Sequence, residues 1–199
     1  MTNETLARVT HALSAARRET IWSGVAGSKD DYVLTLEIGE KRRRASRLGA
    51  TELSFNKRTF EGAMGFVIEC PWRYENESSV LWTCFDLLEP VNRGPRELPG
   101  LEDAAIQEIS VTAPAFDLVL ALGGNLKIVA FCAEANPKKK RNNWSFWSPQ
   151  HLVTIAPRGI VSIRDRAAEE AAVREHAHSF ESDVVVRLPF GRKSDEPKK

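Results

Sequence analysis

The sequence predicts an α+β fold built mainly from antiparallel β-sheets, and three observations predict it. About ten short runs carry strand-like alternation of apolar and polar residues. Two stretches, one near each end, carry helical spacing instead. The connections between the strand-like runs are too short for repeated parallel crossovers, which need a dozen or more residues. The expected arrangement is one compact domain over 1–190, a sandwich or an open barrel with N- and C-terminal helices, and a flexible tail over 191–199.

The chain's 199 residues are enough to bury a sizeable core. Hydrophobic residues at 42% and charged residues at 28% exclude a disordered, collagen-like or membrane-spanning composition. The 28 basic and 27 acidic side chains leave a net charge of +1, so global charge argues for no nucleic-acid partner.

The first twenty residues predict a helix, with Leu6, Val9, Leu13 and Ala16 on one stripe and Arg17 and Arg18 near its C-terminal end. Gly24, Gly27, Ser28, Lys29 and Asp30 then read as a turn. From Tyr32 the period changes to two: Val33, Thr35 and Glu37 alternate with Leu34, Leu36 and Ile38, a half-buried strand. The basic run from Lys41 follows. TELSF (51–55) reads as a short strand, FVIEC (66–70) as another, and SVLWTCFDL (79–87) as a third, ending near Asp86. The Pro- and Gly-rich interval 89–101 is the most linker-like passage.

AAIQEISVTA (104–113) favours strand over helix. Two β-rich runs then flank Gly123, Gly124 and Asn125, a hairpin signal. WSFW (144–147), HLVTIA (151–156) and IVSI (160–163) are further strands, with a turn at Pro157, Arg158 and Gly159. The second helix is expected over 165–180; Ser162 and Asp165 offer a capping box, and a start a few residues later fits equally well. VVVRLPF (184–190) closes the list of strands.

The stretch 31–39 echoes 117–124, and PWRY then SVLW echoes NWSF then HLVTI. A duplicated β-rich unit, with halves 22–89 and 101–163, explains the echo; shared strand propensity produces the same appearance.

The chain lacks the glycine-rich phosphate loops, the HExxH zinc motif and the GxSxG nucleophile elbow. Cys70, Cys84 and Cys132 are odd in number and without metal-ligand spacing, which predicts buried, reduced thiols. The polar, periodic N-terminus is unlike a signal peptide, and with the thiols it predicts a cytoplasmic protein. No metal or cofactor is expected. A thiol hydrolase would need one of the cysteines beside His151 or Asp86, and enzymatic activity is disfavoured.

Binding residues are sought among the aromatic and basic runs. Arg43, within Lys41 to Arg47, and Lys139, within Lys138 to Arg141, are candidate phosphate contacts, although short basic runs commonly solvate loops. Alternation places Trp72 and Tyr74 on one strand face with Arg73 opposite, and Trp144 and Phe146 on one face with Trp147 opposite. The inward tryptophans suit a core; Trp147, with Arg73 as companion, suits a protein interface.

Pro71-Trp72-Arg73, Asp117-Leu118, Gly123-Gly124, Leu126, Trp144-Ser145-Phe146, Pro149 and Gly159 form a pattern over 65–162. The pattern resembles that of a loose group of uncharacterised small bacterial β-rich proteins. Arg158 stands where that pattern has the first glycine of its final turn. Some members of the group look like immunity partners of toxins. The resemblance therefore implies stoichiometric protein binding. The leading expectation is a protein-binding or structural module acting by occlusion or scaffolding, on a protein partner or as a homodimer, with an unrecognised small-ligand-binding protein or hydrolase as the alternative. Nucleic acid is disfavoured as a partner, and no membrane segment is expected.

Overall fold

The structure is a computed structural model that describes residues 3–28, 31–45, 48, 53–88, 95–132, 142–166 and 168. The chain separates into two compact units, 1–166 and 167–199, and every element below belongs to the first.

Helix α1 (Asn3–Leu13) continues into a 3-10 turn, Ser14–Ala16. It is followed by strands β1 (Thr20–Ser28) and β2 (Asp31–Arg43), a short helix α2 (Phe55–Thr59), then β3 (Phe60–Ile68), β4 (Trp72–Glu75) and β5 (Val80–Thr83). After a two-residue β6 (Arg96–Glu97) come β7 (Ala104–Thr112), β8 (Asp117–Leu122), β9 (Leu126–Ala130), β10 (Trp144–Trp147), β11 (His151–Ala156) and β12 (Ile160–Asp165). The strands run in the order β12-β11-β10-β3-β2-β1-β7-β8-β9-β4-β5, with β6 beside β1. Each pairing in that order is antiparallel. The expected α+β class with a dominant antiparallel sheet is what the chain adopts.

The connectivity shows that this sheet is not flat. β3 and β4 stand six places apart in the strand order, about 29 Å across a flat sheet at ~4.8 Å per strand. Only Glu69, Cys70 and Pro71 join them, and a chain of that length reaches about 14 Å. The sheet therefore folds back over itself, hinged where β1 meets β7 through just two residue pairs, Thr20↔Ala105 and Ile21↔Ala104. One core fills the fold, combining Leu36, Phe66, Trp144 and Phe146 of one sheet half with Trp72, Leu118, Leu120 and Ile128 of the other. Trp144 donates its indole N–H to the Phe116 carbonyl at 2.8 Å, tying β10 to the opposite half. Helix α1 adds Val9, Ala12 and Leu13 to the same core.

Two runs of strands share one plan. β1, β2 and β3 form a meander, after which the chain crosses and β4 pairs with β9. β7, β8 and β9 form a second meander, after which β10 pairs with β3. The sequence echo matches β2 to β8 and β4 to β10, the elements that hold corresponding places in these runs.

The structure corrects several local expectations. The helical stretch expected over the first twenty residues ends near Ala16, and 24–28, expected to open a turn, belongs to strand β1, whose hairpin with β2 closes at the pair Ser28↔Asp31. Its glycines suggested punctuation, but Gly24 is there for close packing: a Cβ would sit 2.5 Å from Leu101 Cδ1. Of the strand expected over TELSF, 51–52 lie outside the described residues, and 53–55 are not strand. Ser54 accepts from Lys57 N–H and caps α2, which starts at Phe55. Ser162 lies in β12 opposite Thr154 and caps no helix. The helix over 165–180 and the strand over 184–190 fall almost wholly outside the described residues. At the last turn Arg158 takes φ +64° itself, the left-handed conformation that glycine favours. Gly159 is required by space as well, since a Cβ there would meet the Pro114 carbonyl oxygen at 2.6 Å.

Candidate functional site

The alternation along β4 sets the candidate surface. Trp72 and Tyr74 point into the core, and the Tyr74 hydroxyl donates to the Pro99 carbonyl at 3.0 Å. Burial pushes the Tyr74 phenol above its ordinary pKa. Arg73 and Glu75 point outward and form an ion pair, and the Arg73 guanidinium lies 5.1 Å from the centre of the Phe131 ring. Arg73 is therefore a half-exposed, positioned cation on the outer face of the sheet.

The hairpin that follows is set by a side-chain turn. Asn76 Oδ1 accepts from the backbone N–H groups of Ser78 and Ser79 at 2.9 and 2.8 Å, which delivers the chain into β5. β5 is the last strand in its direction and pairs only with β4 among the described residues. At its end Asp86 Oδ2 accepts from Thr83 N–H and Thr83 Oγ1–H at 2.6 and 2.9 Å. That turn buries Cys84 and Leu87 and leaves Phe85 outside. Within 80–85, Val80, Leu81 and Phe85 are 53%, 41% and 63% exposed. No charged residue stands among them. The register shift between Tyr74 and Glu75 makes Leu81 the extra residue of a bulge.

Trp147 lies elsewhere. It faces outward from β10, half-buried, with its indole against Gly65 of β3; a Cβ on Gly65 would sit 2.3 Å from the ring. Trp147 and Arg73 thus occupy the outer faces of the two sheet halves that enclose the core, and the structure does not bring the expected companions together. Sequence alternation places each side chain outward, but it is blind to which half carries the strand.

The basic run is divided among four environments. Lys41 Nζ lies 4.9 Å from the Trp22 ring centre, Arg42 pairs with Glu40 at 3.8 Å, and Arg43 is exposed at the end of β2. Arg44 turns inward, ion-paired to Glu37 and to Glu61 at 3.2 Å. Burial raises the Glu37 pKa above its ordinary value, against the hydrogen bond from Gly62 N–H and the charge of Arg44. Arg47 and the second basic run, Lys138 to Arg141 with Lys139, lie outside the described residues.

His151 faces a surface recess of about 340 Å3 together with Glu4, Arg8 and His11 of α1. No cysteine lines that recess, and all three thiols are buried. Asp86, the other candidate for activating a thiol, accepts from Thr83. Among the described residues no three metal-ligating side chains converge, and no helix is long and apolar enough to cross a membrane.

The sequence reading missed the surface of β5. SVLWTCFDL was legible as a strand, and the absence of charge in 80–85 was its one signal. That β5 would be an edge depends on which strand fails to pair with it, and no local pattern carries that information.

No family model matches the chain, and no curated protein or solved structure does.

Proposed function

We propose that the protein is a protein-binding module that docks a partner on the β5 edge. The observation that carries this reading is the uncharged edge strand whose Val80 and Leu81, with Phe85 beyond it, are exposed. Edge strands in soluble proteins are ordinarily blunted by charge, and large exposed apolar side chains grouped at an edge mark an interaction surface. Arg73, Glu75 and the exposed Glu77 supply a polar rim around that apolar centre. β5 is four residues long and bulged, so side-chain burial rather than a long backbone ladder carries the affinity. The partner presents an apolar surface with a basic group opposite Glu77. Binding is stoichiometric occlusion in the cytoplasm without a cofactor, the immunity-like role that the resemblance implies. The two meander-plus-hairpin runs are a duplication in this reading, and only the first has kept an apolar edge.

The test begins with the protein captured from its native host by the wild type, expressed separately and titrated against purified full-length chain. Leu81→Lys is expected to weaken one-to-one binding at least tenfold, while Ile160→Lys on β12 and Trp147→Ala leave it unchanged. Equal binding by all these folded variants, or no saturable partner, overturns the reading. Light scattering of the free chain separates a homodimer from a foreign partner: a dimer that Leu81→Lys dissociates assigns the edge to a second copy.

A further inference from the structure

The cysteines fit none of the chemistry considered above, yet two of them are placed to react with each other. β4 and β9 pair with Trp72 opposite Ala130. The ladder continues one step beyond both strands, because Phe131 N–H donates to the Pro71 carbonyl at 2.8 Å. The next opposed pair is Cys70 and Cys132. Alternation returns both to the core face shared by Trp72 and Ala130, and all four side chains are buried.

The pairing type also suits a bond. Pro71 and Phe131 occupy the hydrogen-bonded position, so Cys70 and Cys132 occupy a non-hydrogen-bonded one. Their backbone N–H groups confirm this by going elsewhere: Cys70 N–H donates to the Asn143 carbonyl at 2.9 Å and Cys132 N–H to Asp117 Oδ1 at 2.6 Å. Opposed residues at such positions have Cα atoms about 4.5 Å apart, inside the span of about 4.4–6.8 Å that a disulfide bridges. The two thiols are near enough that Cys132, ahead of burial itself, pushes the Cys70 pKa up. Cys132 Sγ–H also donates to the Phe116 carbonyl at 3.0 Å. That carbonyl keeps its indole partner, Trp144, when the cysteine proton is removed.

We propose that Cys70 and Cys132 form a dithiol site that closes to one intramolecular disulfide in an oxidising thiol–disulfide environment and stays reduced in a reducing one. The oxidant is a small disulfide such as oxidised glutathione. One protein thiolate attacks it, forming a mixed disulfide and releasing one glutathione thiolate; the second protein thiolate then displaces the other glutathione. Two protein S–H bonds are lost, one protein S–S bond forms, and the oxidant's S–S bond is reduced to two thiols. Because the contact with Cys132 and burial disfavour the Cys70 thiolate, closure is slow in the folded chain, and the site reports prolonged exposure rather than a brief pulse. Closure links the crossing from β3 to β4 with the outgoing end of β9. Cys84, opposite Trp72 on the other side of β4, stays free.

The full-length chain is brought to equilibrium in a buffer of reduced and oxidised glutathione, acid-quenched, unfolded and alkylated. The expected result is a monomer lacking two hydrogens, with Cys84 alone alkylated and one cross-linked peptide joining Cys70 to Cys132. Its thermal midpoint is expected to rise by about 5–15 °C over the reduced chain. A Cys84→Ala variant should behave in the same way, which keeps the test open if a variant of the pair itself fails to fold. Three alkylatable thiols at equilibrium, a bridge that includes Cys84, or bridges formed only between chains would overturn the proposal. Partner binding at β5 plays no part in this readout, so the two proposals stand or fall separately.

Discussion

At one edge of the sheet, β12 exposes Ile160, then Ser162, Arg164 and Asp165, so charge guards the end of the strand that leaves the sheet. At the other, β5 exposes Val80 and Leu81 with no charge at all. The two edges terminate strand runs of the same plan, a meander followed by a crossing hairpin. The second run adds β12 outside β11, whereas the first stops at β5. β12 uses the usual defence of an edge, charged side chains. β5 relies on shortness and on a bulge at Leu81, which limit backbone pairing while leaving apolar side chains available. The two ends of the strand order therefore carry different surface chemistry, and that difference singles out β5.

The largest expected effects test whether the two runs are equally committed to one core. Trp72→Ala and Trp144→Ala, at corresponding places in β4 and β10, should each lose about 3–5 kcal/mol of unfolding free energy in denaturant titrations. Trp144→Ala should lie at the upper end, since it also removes the hydrogen bond to the Phe116 carbonyl. A loss below about 1 kcal/mol at either site would break the equivalence.

A second effect is confined to the first run. β2 continues past the point where β8 turns at Gly123, and Glu37 on that extension forms a largely buried pair with Arg44, the residue after the strand. Burial holds the folded Glu37 carboxyl above its ordinary pKa, so the folded chain binds that proton more tightly than the unfolded chain. Its contribution to stability is full at acid pH and declines as pH rises through the folded value. Arg44→Met removes the compensating charge and should cost about 3 kcal/mol near neutrality. The deficit should shrink as pH falls toward 4.5, the ordinary carboxylate value. A deficit independent of pH in denaturation curves at several pH values would assign the loss to packing.

Gly65→Ala sharpens the placement of Trp147. The new methyl meets both the ring and the Leu36 carbonyl, for an expected loss of about 1–3 kcal/mol. Tryptophan fluorescence should change with it as the ring is displaced. The smallest effects concern the edges: Leu81→Lys and Ile160→Lys should each change stability by no more than about 0.5 kcal/mol. Their separation is expected in partner affinity, measured by titration, where only the β5 variant weakens binding.

Much of this was readable residue by residue. The alternation in β2, β4 and β10 correctly divides inward Trp72, Tyr74, Trp144 and Phe146 from outward Arg73 and Trp147. The turn at Gly123, Gly124 and Asn125 was legible because positive φ is required there, +73° at Gly124 and +61° at Asn125. β1 was not legible, because glycine that admits a neighbour's side chain looks in sequence like glycine that breaks a strand. TELSF failed for a related reason: Leu53 is buried, but Phe55, which a strand would place on the same face, is exposed, and Ser54 caps a helix. One buried residue in a short run fits either period.

The sequence by itself determined the class of the fold, the strands with a clear period of two, and the inward or outward aspect of their side chains. These follow from backbone geometry repeated every two residues. Only the tertiary structure decided that β4 lies beside β9 and β10 beside β3, that Arg73 and Trp147 stand on different sheet halves, and that Cys70 opposes Cys132. It also decided that β5 is an edge among the described residues. Each of these depends on pairing between segments far apart in the chain. The hydrogen bonds that make such pairs come from backbone groups common to every residue, so no short stretch of sequence announces its partner.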